Sequence, residues 1–549
     1  MKQVKNANFL SGFGVSVKKR RVVKSNMPSQ DKPLVLVILD GWGIATPAPS
    51  NPISLAKLAN WDFFNRHYPH TELIASGAEV GLPRGQDGNS EAGHMNIGAG
   101  RIVKQDAVMV SEMIKNKEFF KSLALLAAVK HSKKFKSNIH IMGLLSNGQS
   151  AHSDPEHLYA LLKFLKMQKF HRIYLHLFTD GRDSPPHAGA RLISKLINNF
   201  QNNEIISTVM GRFYAMDRIK KWERTEMAYN AMTLGKGRPT DNPYRAITEA
   251  YNRGETDEFI TPTIILNPVK KAKFISNNDS IIFFNLRSDR ARQITKPFVQ
   301  AKFEQENRGA FKRKKVLKNL CFVAMTDFGP DLDDIKTVSH GVLLDNTLPL
   351  VLKNYSQLYL AEREKYAHVT YFFNGGHNHP VNGEKWDVIA SKGKINYEHY
   401  PQMSIYPLTE LILENLHKKK YDFITVNFAN ADMIGHTGNL KAAIKAVQII
   451  DGCLGKIYKE ILKDKGTLII TADHGNVEEM LNLKTGEMDT EHSNNPVPFI
   501  IINNKLKKGL RLKSNGKLGD IAPTILTLLG IKKPKEMTGK SLVNLKFKV

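Results

Sequence analysis

The sequence predicts an α/β protein with a mainly parallel sheet flanked by helices and a second α/β domain inserted into it. Three observations predict this: near-continuous apolar runs of strand length recur, helix-length segments separate them, and the polar residues that follow the runs are of two chemical kinds. The runs are Leu34–Leu39, Ile139–Leu145, Ile173–Phe178, Ile205–Met210, Ile281–Leu286, Phe423–Phe428, Leu468–Thr471 and Pro498–Ile502. A run that does not alternate fits a strand buried on both faces, as in a parallel sheet covered by helices. Between most of them lie Ser122–Lys130, His157–Met167, Ala190–Phe200 and Leu440–Ile461, so the alternation is β-α-β.

Ligands of open α/β sheets bind beyond the carboxyl ends of the strands, and the residues found there divide the chain. Asp40 ends the first run, Asn430–His436 follows Phe423–Phe428, and Asp473-His474-Gly475 follows Leu468–Thr471. Thr179–Asp183 follows Ile173–Phe178, Gly211-Arg212 follows Ile205–Met210, and Arg287 with Arg290 follows Ile281–Leu286. Carboxylates and histidines thus belong to the two ends of the chain and arginines to its middle. The crossings are placed near Gln105 and His340, the second beside the linker-like Gly329-Pro330-Asp331. The expected domains are 31–105 with 340–549, which would bind metal, and an inserted 106–339, which would hold substrate.

At 549 residues the chain exceeds one hydrophobic core. No apolar run approaches the roughly 20 residues that cross a bilayer. Cys321 and Cys453 lack a metal-type spacing, which argues against a disulfide framework and for a reducing compartment. The net charge of +27 admits anionic partners without choosing one. Its lysines are scattered in short runs (Lys18–Arg21, Lys312–Lys315, Lys418–Lys420), so nucleic acid is not the expected partner. Residues 1–30 form a basic extension without Asp or Glu, expected to be disordered. A cytoplasmic monomer is expected, with an organelle-targeting role for the extension left open.

Ser90 is the candidate nucleophile. Gly88 and Gly93 flank it and would let a phosphate or a metal approach the backbone, although Gly-Asn-Ser-Glu also reads as a turn with Ser90 as an ordinary helix cap. Other segments strengthen the chemical reading. Asp432 and His436, four apart, share one face if a helix begins at the strand end. Asp473 and His474 can enter one cleft if the backbone turns there, and His492 follows in a polar loop. With Asp40 these make three carboxylates and three imidazoles, a set suited to Mn²⁺, Zn²⁺ or Fe²⁺ more than to Mg²⁺ or Ca²⁺, and large enough for two ions. Two ions beside a serine suit phosphoryl transfer through a phosphoserine.

Seven segments resemble the cofactor-independent (2,3-bisphosphoglycerate-independent) phosphoglycerate mutases of the alkaline phosphatase superfamily. They are Leu39–Gly43, Asn89–His94, Asp180–Asp183, Gly211–Arg218, Asn285–Ala291, Glu364–Thr370 and Thr471–Asn476, in the family's order between about Pro33 and Leu542. The resemblance implies an alkaline-phosphatase-like fold and interconversion of 3-phosphoglycerate and 2-phosphoglycerate in glycolysis and gluconeogenesis. It implies two Mn²⁺ ions, with Zn²⁺, Co²⁺ or Fe²⁺ as alternatives, and no 2,3-bisphosphoglycerate. By the same resemblance one ion takes Asp40, Ser90, Asp473 and His474, and the other Asp432, His436 and His492. Ser90, Asp183 and Lys365 are the catalytic residues it implies, Asp183 as acid and base between the glycerate hydroxyls. Its substrate contacts are His152, Arg182, Asp183, Arg212, Arg218, Arg287, Arg290 and Lys365.

The stretch Asn147–Asp154 departs from the family's usual pattern: His152 matches, but Asp154 stands where a second histidine is usual. The competing readings are a phosphopentomutase, a metal-dependent phosphatase, and a basic nucleic-acid-binding protein. Several arginines in a separate domain suit a small substrate carrying both phosphate and carboxylate, since each group accepts bidentate pairs.

Overall fold

The computed structural model describes residues 33–543 except 270, 330, 333, 340, 342, 392–396, 484, 505 and 507–509. The basic extension 1–30 and the crossing at His340 lie outside the described residues.

Two eight-stranded sheets organise the chain. The first runs, in spatial order, Lys385–Ile389, Gln357–Glu362, Phe423–Phe428, Leu34–Leu39, Thr467–Thr471, Val497–Ile502, His70–Ile74 and Gly516–Lys517. Its first five strands are parallel, and Val497–Ile502 pairs antiparallel to both neighbours. Leu34–Leu39 lies at the centre, fully buried, in register with Phe423–Phe428 on one side and Thr467–Thr471 on the other. That register places Asp40 and the two segments that follow its neighbours at one end of the sheet. The second sheet runs Lys336–Thr337, Cys321–Ala324, Ser280–Phe283, Ile139–Leu145, Ile173–Thr179, Ile205–Gly211, Thr263–Ile265 and Arg238–Thr240. Only the pairing of Ile205–Gly211 with Thr263–Ile265 is antiparallel. Each sheet packs its own apolar core, led by Phe64, Tyr359 and Phe373 in the first and by Phe119, Phe164 and Phe284 in the second.

The eight predicted runs are strands, with small shifts at the ends. The predicted helices are found at Leu123–Lys134, Pro155–Met167, Gly189–Asn198 and Leu440–Lys463. Asp154 acts locally, since its carboxylate accepts from the Glu156 N–H at 2.8 Å and caps Pro155–Met167. Ser90 is not the cap of its helix. Asn89 is, accepting from the Ala92 N–H at 3.0 Å, and Ser90 is the first residue of the helix Ser90–Ala99.

Candidate active site

Asp40 follows the central strand of the first sheet, and Gly41 turns the chain there with φ +71°. A side chain at Gly41 would also collide with the Asp432 backbone, its Cβ lying 2.7 Å from Asp432 Cα, so glycine lets the two segments meet. Gly93 does the same for the serine helix, since a Cβ there would stand 2.6 Å from the Asp473 carbonyl oxygen. These approaches bring Ser90 into the group. Its hydroxyl donates to Asp40 Oδ1 at 3.2 Å and lies 3.0 Å from His474 Nε2.

The three histidines share one geometry. Nδ1 of His436 faces the Thr490 carbonyl at 2.7 Å, that of His492 the Gly88 carbonyl at 2.8 Å, and that of His474 the Gly475 carbonyl at 3.2 Å. A carbonyl only accepts, so each Nδ1 carries a proton and each Nε2 is turned into the site, where it is the nitrogen that could ligate a metal once its ring is neutral. Nε2 of His436 and of His492 each lie 3.2 Å from Asp432 Oδ1 and 3.1 Å from each other. Two imidazole nitrogens and a carboxylate oxygen gathered at that distance suit a shared cation, which could be a proton or a metal ion. Burial disfavours a charged His436, yet Asp432 overcomes it and raises its pKa, while burial and the His474 charge push His492 down to about 4.

The donor set fits two divalent ions. Asp432, His436 and His492 form one three-ligand group, and Asp40 enters two others, one with Asp432 and His474 and one with His94 and Asp473. Asp473 Oδ1 accepts from Gly41 N at 3.3 Å and His474 N at 3.1 Å, whereas its buried Oδ2 makes no hydrogen bond, the nearby His94 Nδ1 being directed to the Ser90 carbonyl at 2.8 Å. A buried carboxylate oxygen left in that state is what a cation would satisfy. Lys365 brings further charge, with Nζ 2.5 Å from Asp40 Oδ1, 2.7 Å from Asp432 Oδ2 and 2.8 Å from Ser90 Oγ. Burial works against that ammonium, but the two carboxylates reverse the effect and hold its pKa above the usual value; in turn Lys365 overcomes burial at Asp40 and keeps it ionised.

Several residues here were not singled out as site residues from sequence. His94 lies 3.2 Å from Asp473 Oδ2 through Nδ1 and 3.0 Å from Asn427 Nδ2 through Nε2. Asn427 donates to Asp40 Oδ2 at 2.6 Å, and Asn476 to Asp432 Oδ1 at 3.2 Å. Two signals were present: His94 stands four after Ser90 and so shares its helix face, and Asn427 puts an amide into a fully buried, mainly apolar strand. Glu478 accepts from Gly43 N and Asn476 N, both at 2.9 Å, and ties the two ligand-bearing loops together.

The second sheet presents cations. Arg212 is buried and splits its Nη1 between Asp180 at 2.5 Å and Asp183 at 2.8 Å. Asp183 also accepts from Ser150 at 2.6 Å; burial opposes its charge, but Arg212 and His152 hold its pKa well below the carboxylate range. Arg218 pairs with Asp289 at 2.7 Å, and His152 lies 3.9 Å from Asp289 and is pushed by burial down to about 3. Arg290 donates to the Met216 carbonyl at 3.2 Å. Burial first, then the charges of Arg212, Arg218 and Arg182, press its pKa down to about 10, so these four arginines converge. Arg182 is more open, 4.0 Å from Glu258. Arg287 reaches across to the first sheet's side, where it pairs with Glu91 at 2.8 Å.

A family model described as the metalloenzyme superfamily matches residues 32–533. The 2,3-bisphosphoglycerate-independent phosphoglycerate mutase of Clostridium perfringens (strain SM101 / Type A) is 45% identical over 517 residues, 93% of this chain and 99% of that one. The chain belongs to this phosphoglycerate mutase family. The mutase of the same description from Clostridium kluyveri is 45% identical over 516 residues, with the same shares of the two chains. Among solved structures, the phosphoglycerate mutase of Leishmania mexicana, determined at low cobalt concentration, superposes with a TM-score of 0.80 at 27% identity, covering 96% of this chain and 100% of that one. No helix among the described residues is long and apolar enough to cross a membrane.

Proposed function

We propose that this chain interconverts 3-phosphoglycerate and 2-phosphoglycerate through a phosphoserine on Ser90, without 2,3-bisphosphoglycerate, as a cytoplasmic monomer that uses Mn²⁺. The observation that carries the reading is the position of the Ser90 hydroxyl, within hydrogen-bond reach of Asp40, His474 and Lys365 at once. Asp40, Ser90, Asp473 and His474 would hold one ion, and Asp432, His436 and His492 the other. Bound there, divalent ions lower the pKa of the serine hydroxyl and neutralise phosphoryl oxygens.

The division of labour follows the two sheets. Segments 31–105 and 340–549 form the phosphoryl-transfer domain, and 106–339 the domain that holds the glycerate. Ser90 Oγ attacks the substrate phosphorus, and the bond from phosphorus to the glycerate oxygen breaks as the Oγ–P bond forms. The Lys365 ammonium stabilises negative charge at Oγ on attack and on departure. Asp183 carries the proton that one glycerate oxygen gains and that the other gives up when it attacks the phosphoserine. The Ser90 hydroxyl gives its proton up to solvent before it attacks and takes one back on leaving, so protons balance over the cycle. His152, Arg182, Arg212, Arg218, Arg287 and Arg290 keep the dephosphorylated glycerate in place while it reorients.

The test is conversion of 3-phosphoglycerate coupled to enolase, after exhaustive chelation and again with added Mn²⁺, with no bisphosphoglycerate present. Activity restored by Mn²⁺ and absent in Ser90→Ala supports the reading. Full activity without bound metal, or in Ser90→Ala, refutes it.

A further inference from the structure

The ion pair between Glu91 and Arg287 joins residues 196 positions apart and bridges the two sheets' domains. Glu91 sits in the first turn of the helix that Ser90 begins, where the helix dipole favours a carboxylate. Arg287 precedes the helix Ser288–Val299 and belongs to the second sheet's side. The chain at Arg287 is tightly held: the Leu286 N–H donates to the His152 carbonyl at 2.8 Å, and the Thr326 hydroxyl donates to the Leu286 carbonyl. Both partners' side chains are about three-quarters buried, with 25% of Arg287 and 24% of Glu91 left exposed.

That burial decides what the pair does. A mostly buried ion pair costs desolvation and is weak evidence of added stability, and an arginine chosen only to tie two domains would need no anion pocket beside it. Arg287 nevertheless adjoins that pocket, because its neighbour Asp289 pairs with Arg218 and approaches His152. Glu91 pairs with Nη2, and an arginine carries five N–H donors, so other arms of the fork can take an anionic group.

We propose, on the mutase reading above, that Glu91 is a positioning residue: its carboxylate, one residue beyond the nucleophile, aims Arg287 so that substrate anchored in the second domain is registered against Ser90. The carboxylate touches neither phosphorus nor glycerate. It acts through the arginine. Its loss loosens the register between the two domains, which lets water compete for the phosphoserine and lets the intermediate escape.

The experiment is a double-mutant cycle on the full chain loaded with Mn²⁺, using Glu91→Gln, Arg287→Ala and the pair, with isomerisation and inorganic phosphate release measured on the same samples. Glu91→Gln in the wild-type background is expected to lower kcat/KM roughly tenfold and to raise the ratio of released phosphate to isomerised product. In the Arg287→Ala background the same change should alter kcat/KM by less than about twofold, because its target is gone. Glu91→Asp, which keeps the charge one methylene short, should fall between. Equal losses from Glu91→Gln in both backgrounds, or no loss in the wild type, overturn the proposal. If Glu91→Gln proves unstable, Arg287→Gln supplies the second arm of the cycle, and an unchanged phosphate-to-product ratio there overturns it. A wild-type chain that fails to isomerise overturns the mutase reading instead, which keeps the two failures distinct.

Discussion

Lys365 Nζ lies 2.8 Å from Ser90 Oγ while also contacting Asp40 and Asp432. One ammonium therefore serves the nucleophile and the carboxylates of both ligand groups. Removing it with Lys365→Met leaves two buried carboxylates without their cation, a change of the kind that costs about 3–5 kcal/mol. The variant should lose at least tenfold in turnover, and its unfolding midpoint should drop strongly in chelator and far less with Mn²⁺ present, because the ions replace the missing charge. Equal drops under both conditions would show that Lys365 does not share its carboxylates with metal.

Arg212, expected from sequence as a substrate contact, places its Nη1 between Asp180 and Asp183, while its buried Nε has no hydrogen-bond partner. Its side chain is 2% exposed. Arg212→Met should cost about 3–5 kcal/mol in the second domain by stranding Asp180, and should release Asp183 toward an ordinary carboxylate pKa. Chemical denaturation followed by a probe in that domain reads the first effect. A pH–rate profile with an acid limb displaced upward reads the second, and a variant as stable as wild type with an unmoved limb counts against both.

A buried chain of hydrogen bonds crosses the second sheet away from the arginines. Asp279 meets His140 Nε2 at 3.1 Å, His140 Nδ1 meets His176 Nε2 at 3.0 Å, and His176 Nδ1 meets Thr208 at 3.0 Å. Burial pushes both histidine pKa values down, His140 against the pull of Asp279 and helped by Lys315, and His176 helped by His140. Below about pH 6.5 the unfolded chain takes up protons that these folded histidines refuse, so stability falls as pH falls. Each such histidine adds a slope of about 1.4 kcal/mol per pH unit until its folded pKa is reached. The free-energy gap between wild type and His176→Gln should therefore shift by about 2 kcal/mol against the wild type from about pH 7.5 to about pH 5. Urea denaturation of both proteins at the two pH values measures it; an unchanged gap excludes the effect.

The central strands were legible because a strand buried on both faces is mainly apolar, which Leu34–Leu39 satisfies throughout and Phe423–Phe428 satisfies except at Thr425 and Asn427. Lys385–Ile389 was not legible, since an edge strand half open to solvent carries Lys, Trp and Asp without a clear period. Ser90, Asp432 and His436 stood out through spacing and, for the last two, through their place just beyond a strand. His94, Asn427 and Glu478 did not, because their importance lies in partners hundreds of positions away, such as Asn427 with His94. The same limit hid Glu91: beside Ser90 it reads as an ordinary first-turn carboxylate, and only the fold brings Arg287 to it.

Arg290 offers the sharpest test of the anion pocket. Its charge is opposed by burial and by three neighbouring arginines, which press its pKa down to about 10. Cations crowded together raise the energy of the ligand-free protein, and an anion that enters relieves it. Binding a phosphate or a phosphoglycerate should therefore stabilise the fold, by an amount set by ligand concentration over Kd. Arg290→Gln removes one donor and some of the crowding together, so the variant alone should unfold at the wild-type temperature or slightly above. Its stabilisation by ligand should shrink, because each charged hydrogen bond lost weakens binding by about 1.5–3 kcal/mol, roughly ten- to a hundredfold in Kd. Thermal unfolding across a titration of 3-phosphoglycerate, using Ser90→Ala to prevent turnover and Ser90→Ala/Arg290→Gln beside it, separates the two effects. Equal ligand-induced shifts in both proteins would remove Arg290 from the substrate site, and a variant markedly less stable than its parent would mean that the arginine holds the fold instead.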